Sequence, residues 1–141
     1  MTRSREVLLV EDNPGDVRLV REAFAEADGD HTLRVATTGE EALAVLERRA
    51  DEDSAPDLVL LDLNLPGTSG ETVLERIRSS PALQRLPVIV LSSSDADEDV
   101  ESCYRAAANA YLAKPIAPDD LVSMIKSLEE FWFGHVRLPP Q

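Results

Sequence analysis

Five short aliphatic runs alternate with five amphipathic helical patterns along this chain, and that alternation leaves few architectures open. The runs are Glu6–Val10, Leu33–Ala36, Leu58–Asp62, Val88–Leu91 and Ala110–Leu112. Their short length and flanking turn residues mark buried strands. Between the first two, Val17, Val20, Phe24 and Ala27 recur at helical spacing behind Asn13-Pro14, a cap followed by the residue favoured at a first helical position. Ala42, Leu43 and Leu46 share the second helical face behind Thr38. Val73, Leu74 and Ile77 make the third, which ends before Pro81. Ser94 is the expected cap of the fourth, with Val100, Cys103, Tyr104 and Ala107 on its stripe. Leu121, Ile125, Leu128 and Trp132 define the fifth, after Pro118-Asp119.

Repeated strand–helix units bury a parallel sheet under helices on both faces. Five of them predict an α/β, flavodoxin-like doubly wound sheet of order 2-1-3-4-5, with its ligand site where the first and third strands diverge. Those two strands end in acids: Val7-Leu8-Leu9-Val10 runs into Glu11-Asp12, and Leu58-Val59-Leu60-Leu61 runs into Asp62. Carboxylates brought that close must take up protons or a cation. Oxygen-only donors suit a hard divalent ion, Mg²⁺ above all. The fourth strand ends in Ser92-Ser93-Ser94 and the fifth at Lys114-Pro115. A hydroxyl and an ammonium then face the acids across the same edge. Such a set receives a tetrahedral dianion, most simply a phosphoryl group carried on an Asp carboxylate.

The motifs Val10-Glu11-Asp12-Asn13, Leu61-Asp62-Leu63-Asn64-Leu65-Pro66 with Gly70, Val90-Leu91-Ser92-Ser93 and Ala110-Tyr111-Leu112-Ala113-Lys114-Pro115 stand in this order along the chain. In them the sequence resembles the receiver domain of two-component response regulators, over roughly Val7 to Leu128. The resemblance implies Asp62 as phosphoacceptor, charged from a phosphohistidine on a sensor histidine kinase or by a phosphotransfer protein. It implies Asp12 and Asp62 as direct Mg²⁺ ligands with the backbone carbonyl of Asn64, and Glu11 acting through a water. Ser92 corresponds to the switch hydroxyl, Lys114 to the phosphate-binding lysine and Tyr111 to the aromatic that changes rotamer. The Lys114-Pro115 bond is expected to be cis. Glu11 and Ser92 stand where Asp and Thr are the commoner residues. Both keep the functional group, but the longer Glu alters the water on the ion, and Ser, lacking a methyl, loosens the coupling to Tyr111.

Composition narrows the alternatives. The 141 residues carry 14 basic and 27 acidic side chains, a net charge of −13, which argues against nucleic-acid binding. Acids such as Glu26, Asp28, Asp30, Glu40, Glu41, Asp51, Glu52 and Asp53 read as solvated surface, whether for ordinary solubility or for a salty cytoplasm. No run approaches a membrane span, and Met1-Thr2-Arg3-Ser4-Arg5 leads straight into the first strand, so a cytoplasmic protein is expected. The six glycines form no nucleotide-binding loop, so the chain is not expected to be a kinase. An Asp-nucleophile phosphatase is disfavoured because Asn64 stands two residues after Asp62, where a general acid is needed. A phosphorylation-independent adaptor has no use for the acids, hydroxyl and lysine together.

Residues 1–133 read as one receiver domain and 134–141 as a short tail, with no output domain. Output therefore passes through protein contacts. Phe131-Trp132-Phe133 holds three of the six aromatics, and one helix face cannot bury all three. They suggest an interface, or else a tail folded back over them. The Glu-Glu-Phe-Trp ending with a Leu-Pro tail also resembles stand-alone regulators paired with phytochrome-type kinases. That resemblance implies a last helix that contributes to homodimers, and a homodimer through the fifth strand and the fourth and fifth helices is expected here. Cys103 reads as inert packing, and His31 and His135 as surface residues.

Overall fold

The computed structural model describes residues 5–27 and 31–139. Asp28, Asp30, residues 1–4 and the last two tail positions lie outside the described residues. Strands β1 (Arg5–Val10), β2 (His31–Ala36), β3 (Leu58–Leu61), β4 (Val88–Ser92) and β5 (Ala110–Ala113) form one parallel sheet in the order β2-β1-β3-β4-β5. Helices α1 (Pro14–Glu26), α2 (Gly39–Asp51), α3 (Gly70–Ser79), α4 (Asp97–Arg105) and α5 (Pro118–Gly134) cross between them. The predicted architecture is the one observed.

Period-two geometry sends alternate strand residues to opposite faces. Leu8, Val10, Val59, Leu61, Val88 and Val90 meet the side packed by α2 and α3. Val7, Leu9, Leu58, Leu60, Ile89 and Leu91 meet the other side, where Val20, Phe24, Leu121 and Ile125 of α1 and α5 cover them. Because both faces are covered, the central strands read as unbroken aliphatic runs. Asn13 Oδ1 accepts from the Asp16 N–H at 3.1 Å, and Thr38 Oγ1 from the Glu41 N–H at 3.0 Å, so the two predicted caps start α1 and α2.

Three local expectations fail. Ser94 does not cap α4: the helix starts after Ala96, and Ser94 Oγ instead donates to Asp99 Oδ2 at 2.5 Å. The first-turn acids Asp97, Glu98 and Asp99 complement the helix dipole where no side-chain cap bond exists. Ala107 leaves the α4 stripe, because the helix ends at Arg105 and Ala107 turns back at φ 71°. The Lys114-Pro115 bond is trans, since the described residues hold no cis peptide. Trans is the form an isolated X-Pro bond favours by about 0.5–1 kcal/mol.

His31 is a fourth correction. Its side chain is 7% exposed, wedged between Phe24 and Phe133 at ring separations of 5.9 and 5.6 Å, and its Nε2 lies 2.7 Å from Glu129 Oε1. An apolar shelf made by α1 and α5 at the start of β2 covers it. His135 is exposed, as expected, and Cys103 is fully buried, with burial pushing its thiol up to about 11.

Gly70 fixes the β3 exit. A Cβ there would stand 2.7 Å from Leu63 Cα and closer still to the Asp62 carbonyl oxygen, both backbone atoms that have no room to give. Gly70→Ala should therefore destabilise the fold by about 1–3 kcal/mol, as overpacking does. It should also displace Asp62, so urea unfolding and divalent-ion binding measured on one preparation are both expected to weaken.

Candidate functional site at the carboxyl edge of the sheet

Adjacent pairing of β1 and β3 brings their carboxyl ends side by side, with the Asp62 N–H bonded to the Val10 carbonyl at 3.0 Å. The acids that follow them converge. Glu11, Asp12 and Asp62 each present a carboxylate oxygen within 4.8 Å of the others. Glu11 is 1% and Asp62 6% exposed, whereas Asp12 faces solvent. Backbone donors orient the two buried groups: the Asn13 N–H donates to Glu11 Oε2 and the Asn64 N–H to Asp62 Oδ1, each at 3.2 Å.

Lys114 enters from the end of β5, where its N–H bonds the Ser92 carbonyl at 2.7 Å. Its ammonium donates to Glu11, to Asp16 Oδ2 at 2.9 Å and to Asp62 Oδ2 at 3.3 Å. Asp16, on the first turn of α1, is the member of this set that sequence reasoning missed. Its signal was the Asn13 cap, which points the first turn of α1 back over the strand ends. Ser92 is fully buried, and its hydroxyl accepts from the Ser94 N–H at 3.1 Å. Tyr111 is half-buried; its hydroxyl donates to the Ser94 carbonyl at 2.7 Å, and its N–H donates to the Tyr104 hydroxyl at 3.2 Å. The serine and the tyrosine thus meet the same β4–α4 loop.

One ammonium cannot neutralise this edge. Burial pushes Glu11 up to about 7, aided by the hydrogen bond and charge of Asp62 and opposed by Lys114. Burial also disfavours the Lys114 cation, but hydrogen bonds to Glu11 and Asp16 and the charges of Glu11 and Asp62 outweigh it and move its pKa upward. The two partners gain unequally because Lys114 has three carboxylates to itself, whereas Glu11 shares one ammonium. The converging oxygens, the surplus negative charge and the open side at Asp12 fit a hard divalent cation.

The aromatic end of α5 divides. Trp132 and Phe133 pack partly buried against the α1–α5 side of the core, and Arg5 stands 5.8 Å from the centre of the Phe133 ring. Phe131 remains 56% exposed, as do Tyr104 at 50% and Ile116 without cover. The tail runs to the opposite edge of the sheet, where Leu138 and Pro139 join Pro56, Pro81, Leu86 and Pro87 around a groove of about 530 Å³. Among the described residues no helix is long and apolar enough to cross a membrane.

This fold and edge define a response-regulator receiver, and the comparisons with known proteins agree. Residues 7–126 match the response regulator receiver domain, and the chain belongs to that family. It is 40% identical over 135 residues to response regulator Rcp1 of Synechocystis sp. (strain ATCC 27184 / PCC 6803 / Kazusa), covering 94% of this chain and 92% of Rcp1. The phosphorylated cyanobacterial phytochrome response regulator RcpA superposes with a TM-score of 0.93 at 39% identity, over 98% of this chain and all of that one. The Mn²⁺-bound form of Rcp1 gives 0.89 at 40%, over 96% and 99%. Receiver domains bind a divalent metal, and phosphorylation on an aspartate is what the family implies.

The direction of the Glu11 shift sets a pH dependence. Its folded pKa of about 7 lies above the ordinary 4.5, so the folded metal-free protein holds this proton more tightly than the unfolded chain does. Glu11 then contributes stability below pH 4.5 that is lost as pH rises through about 7. Urea unfolding in chelator across that range should show this loss, and Glu11→Gln should flatten it. Added Mg²⁺ should restore stability progressively as pH rises above about 7, where the proton increasingly leaves the carboxylate.

Proposed function

We propose that Asp62 accepts a phosphoryl group from a phosphohistidine of a sensor histidine kinase, and that the protein signals through contacts made by its switched surface. The observation that carries this reading is the meeting of Glu11, Asp12 and Asp62 with the buried Lys114 ammonium at one sheet edge. A structural ion pair needs one carboxylate, not a cluster. Asp62 is buried but reachable beside exposed Asp12 and Asn64, with Oδ1 held by the Asn64 N–H. Its carboxylate attacks phosphorus while the donor's leaving group departs with the bonding pair. Lys114 then meets the charge on the transferred group.

Mg²⁺ would be held by Asp12, Asp62 and the Asn64 carbonyl, with Glu11 through a water. When bound, the ion supplies charge neutralisation and alignment of the phosphoryl oxygens. The Asn64 amide cannot act as a general acid or base for rapid hydrolysis, in keeping with a phosphoacceptor and not a turnover enzyme. Phosphorylation adds negative charge and acceptor oxygens beside Ser92. Turning the Ser92 hydroxyl toward them gives up its bond from the Ser94 N–H, in the loop whose carbonyl holds Tyr111. The α4–β5 surface thereby passes between two arrangements.

The likeness to Rcp1 and to the phytochrome response regulator RcpA supports a phytochrome-type kinase as the donor. We further propose a cytoplasmic protein with its receiver over residues 1–133 and a tail over 134–141. Exposed Tyr104 and Phe131 support a homodimer through β5, α4 and α5.

Incubation with Mg²⁺ and acetyl phosphate should add one phosphoryl group, visible as a gel-mobility shift. Asp62→Asn and chelation should each abolish it, and Lys114→Ala should slow it by about 10²-fold, the scale on which one lost electrostatic donor acts. Labelling that persists in Asp62→Asn defeats the proposal. Light scattering should give a dimer at micromolar concentration that Phe131→Ser converts to monomer.

A further inference from the structure

Asp16 is the acid at this edge that the phosphoacceptor reading leaves without a part. Its place is fixed by the α1 cap, through its own N–H to Asn13 Oδ1 at 3.1 Å. Its carboxylate, 26% exposed, spans from α1 to the end of β5 and holds the Lys114 ammonium at 2.9 Å, nearer than Asp62 does at 3.3 Å. Lys114 is itself 8% exposed. An ammonium has three donors, and here they are matched by Glu11, Asp16 and Asp62.

The three acceptors differ in what a divalent cation does to them. Glu11 and Asp62 belong with Asp12 to the converging set, so an ion drawn there competes with Lys114 for their negative charge. Asp16 lies outside that set. It is the one acceptor of the three with no place among the converging oxygens, so its hold on Lys114 does not compete with the ion. Lysine side chains carry about 2 kcal/mol of rotamer entropy, so an ammonium released by Glu11 and Asp62 without another anchor would lose its orientation.

We propose that Asp16 is a positioning residue: from α1 it seats the Lys114 ammonium beside Asp62, leaving a donor for a phosphoryl oxygen while the cation occupies the other carboxylates. The inference rests on Asp62 being the phosphoacceptor. In the step it serves, an Asp62 oxygen forms a bond to the phosphorus of acetyl phosphate. The bond from phosphorus to acetate breaks, acetate leaves with the electron pair, and the transferred group keeps the negative charge that Lys114 meets.

Asp16→Asn keeps the size and the acceptor oxygen but removes the charge; Asp16→Glu keeps the charge. With Mg²⁺ present, Asp16→Asn should lower both beryllofluoride affinity and the maximal acetyl-phosphate rate roughly tenfold, the scale of a partly screened charge-assisted hydrogen bond. The acetyl-phosphate concentration at half-maximal rate should stay near native, and Asp16→Glu should recover most of the loss. In a Lys114→Ala background the same Asp16→Asn change should cost less than twofold, because the ammonium it seats is gone. Native-like or tighter beryllofluoride binding by Asp16→Asn overturns the inference, as does an undiminished loss in the Lys114→Ala background. Saturation of the native protein alongside an indifferent Asp16→Asn overturns this inference alone. A native protein that takes neither beryllofluoride nor a phosphoryl group overturns the phosphoacceptor reading and this inference with it.

Discussion

Carboxylates forced together at the β1 and β3 ends are the constraint around which this molecule is arranged. Left to themselves, Glu11, Asp12 and Asp62 would separate or take up protons. Burying an ion costs several kcal/mol even after relaxation. The opposing term is larger: each buried aliphatic side chain contributes about 1.5–3 kcal/mol. Val7, Leu9, Val10, Leu58, Leu60 and Leu61, on the two strands that carry these acids, are all at most 1% exposed. Because the aliphatic runs lock β1 beside β3, the electrostatic strain cannot relax by moving the backbone. It can relax only through a proton or a counter-charge.

Two counter-charges answer it differently. Lys114 is covalently tied to β5 and held by three carboxylates, so it is always present but insufficient in charge. A divalent cation brings twice the charge but comes and goes. Burial, and then Asp62, raise the Glu11 pKa despite Lys114, so the lysine alone does not offset the cost of holding this carboxylate charged. A site left short of positive charge binds an ion readily. Once the ion is bound, its two charges and that of Lys114 offset three of the four carboxylates gathered here, which lowers the repulsion an incoming phosphoryl dianion meets.

Much of this was legible in the sequence because it depends on strand order and strand ends. Four aliphatics followed by acid, hydroxyl or lysine state which side chain reaches the edge, and the parallel topology states which edges adjoin. What was not legible depends on contacts between helix surfaces. Asp16 is two residues beyond the Asn13-Pro14 signal, and its bond to Lys114 spans 98 positions of chain. No periodicity encodes that. His31 read as surface because nothing beside it in the sequence is a partner; Phe24, Glu129 and Phe133 reach it only because α1 and α5 lie together against β2. Ser94 misled for a related reason. A hydroxyl ahead of a helix serves as a cap or bonds into the first turn equally well, and here Asp99 takes it.

The same distinction explains why the signalling surface is built from weaker parts than the site. β4 is buried along its whole length, whereas β5 is half-exposed and α4 buries only Cys103. An element with so little buried apolar surface sits at the low end of local stability. Tyr111 and Tyr104 hold that region by single hydrogen bonds, each worth about 0.5–1.5 kcal/mol net. Under the proposed function, a phosphoryl group on Asp62 would engage Ser92 and Lys114 with charge-assisted bonds of roughly twice that strength. On that proposal the rigid β1–β3 edge gathers charge without yielding, while the α4–β5 edge, with less buried apolar surface, is the part that would move.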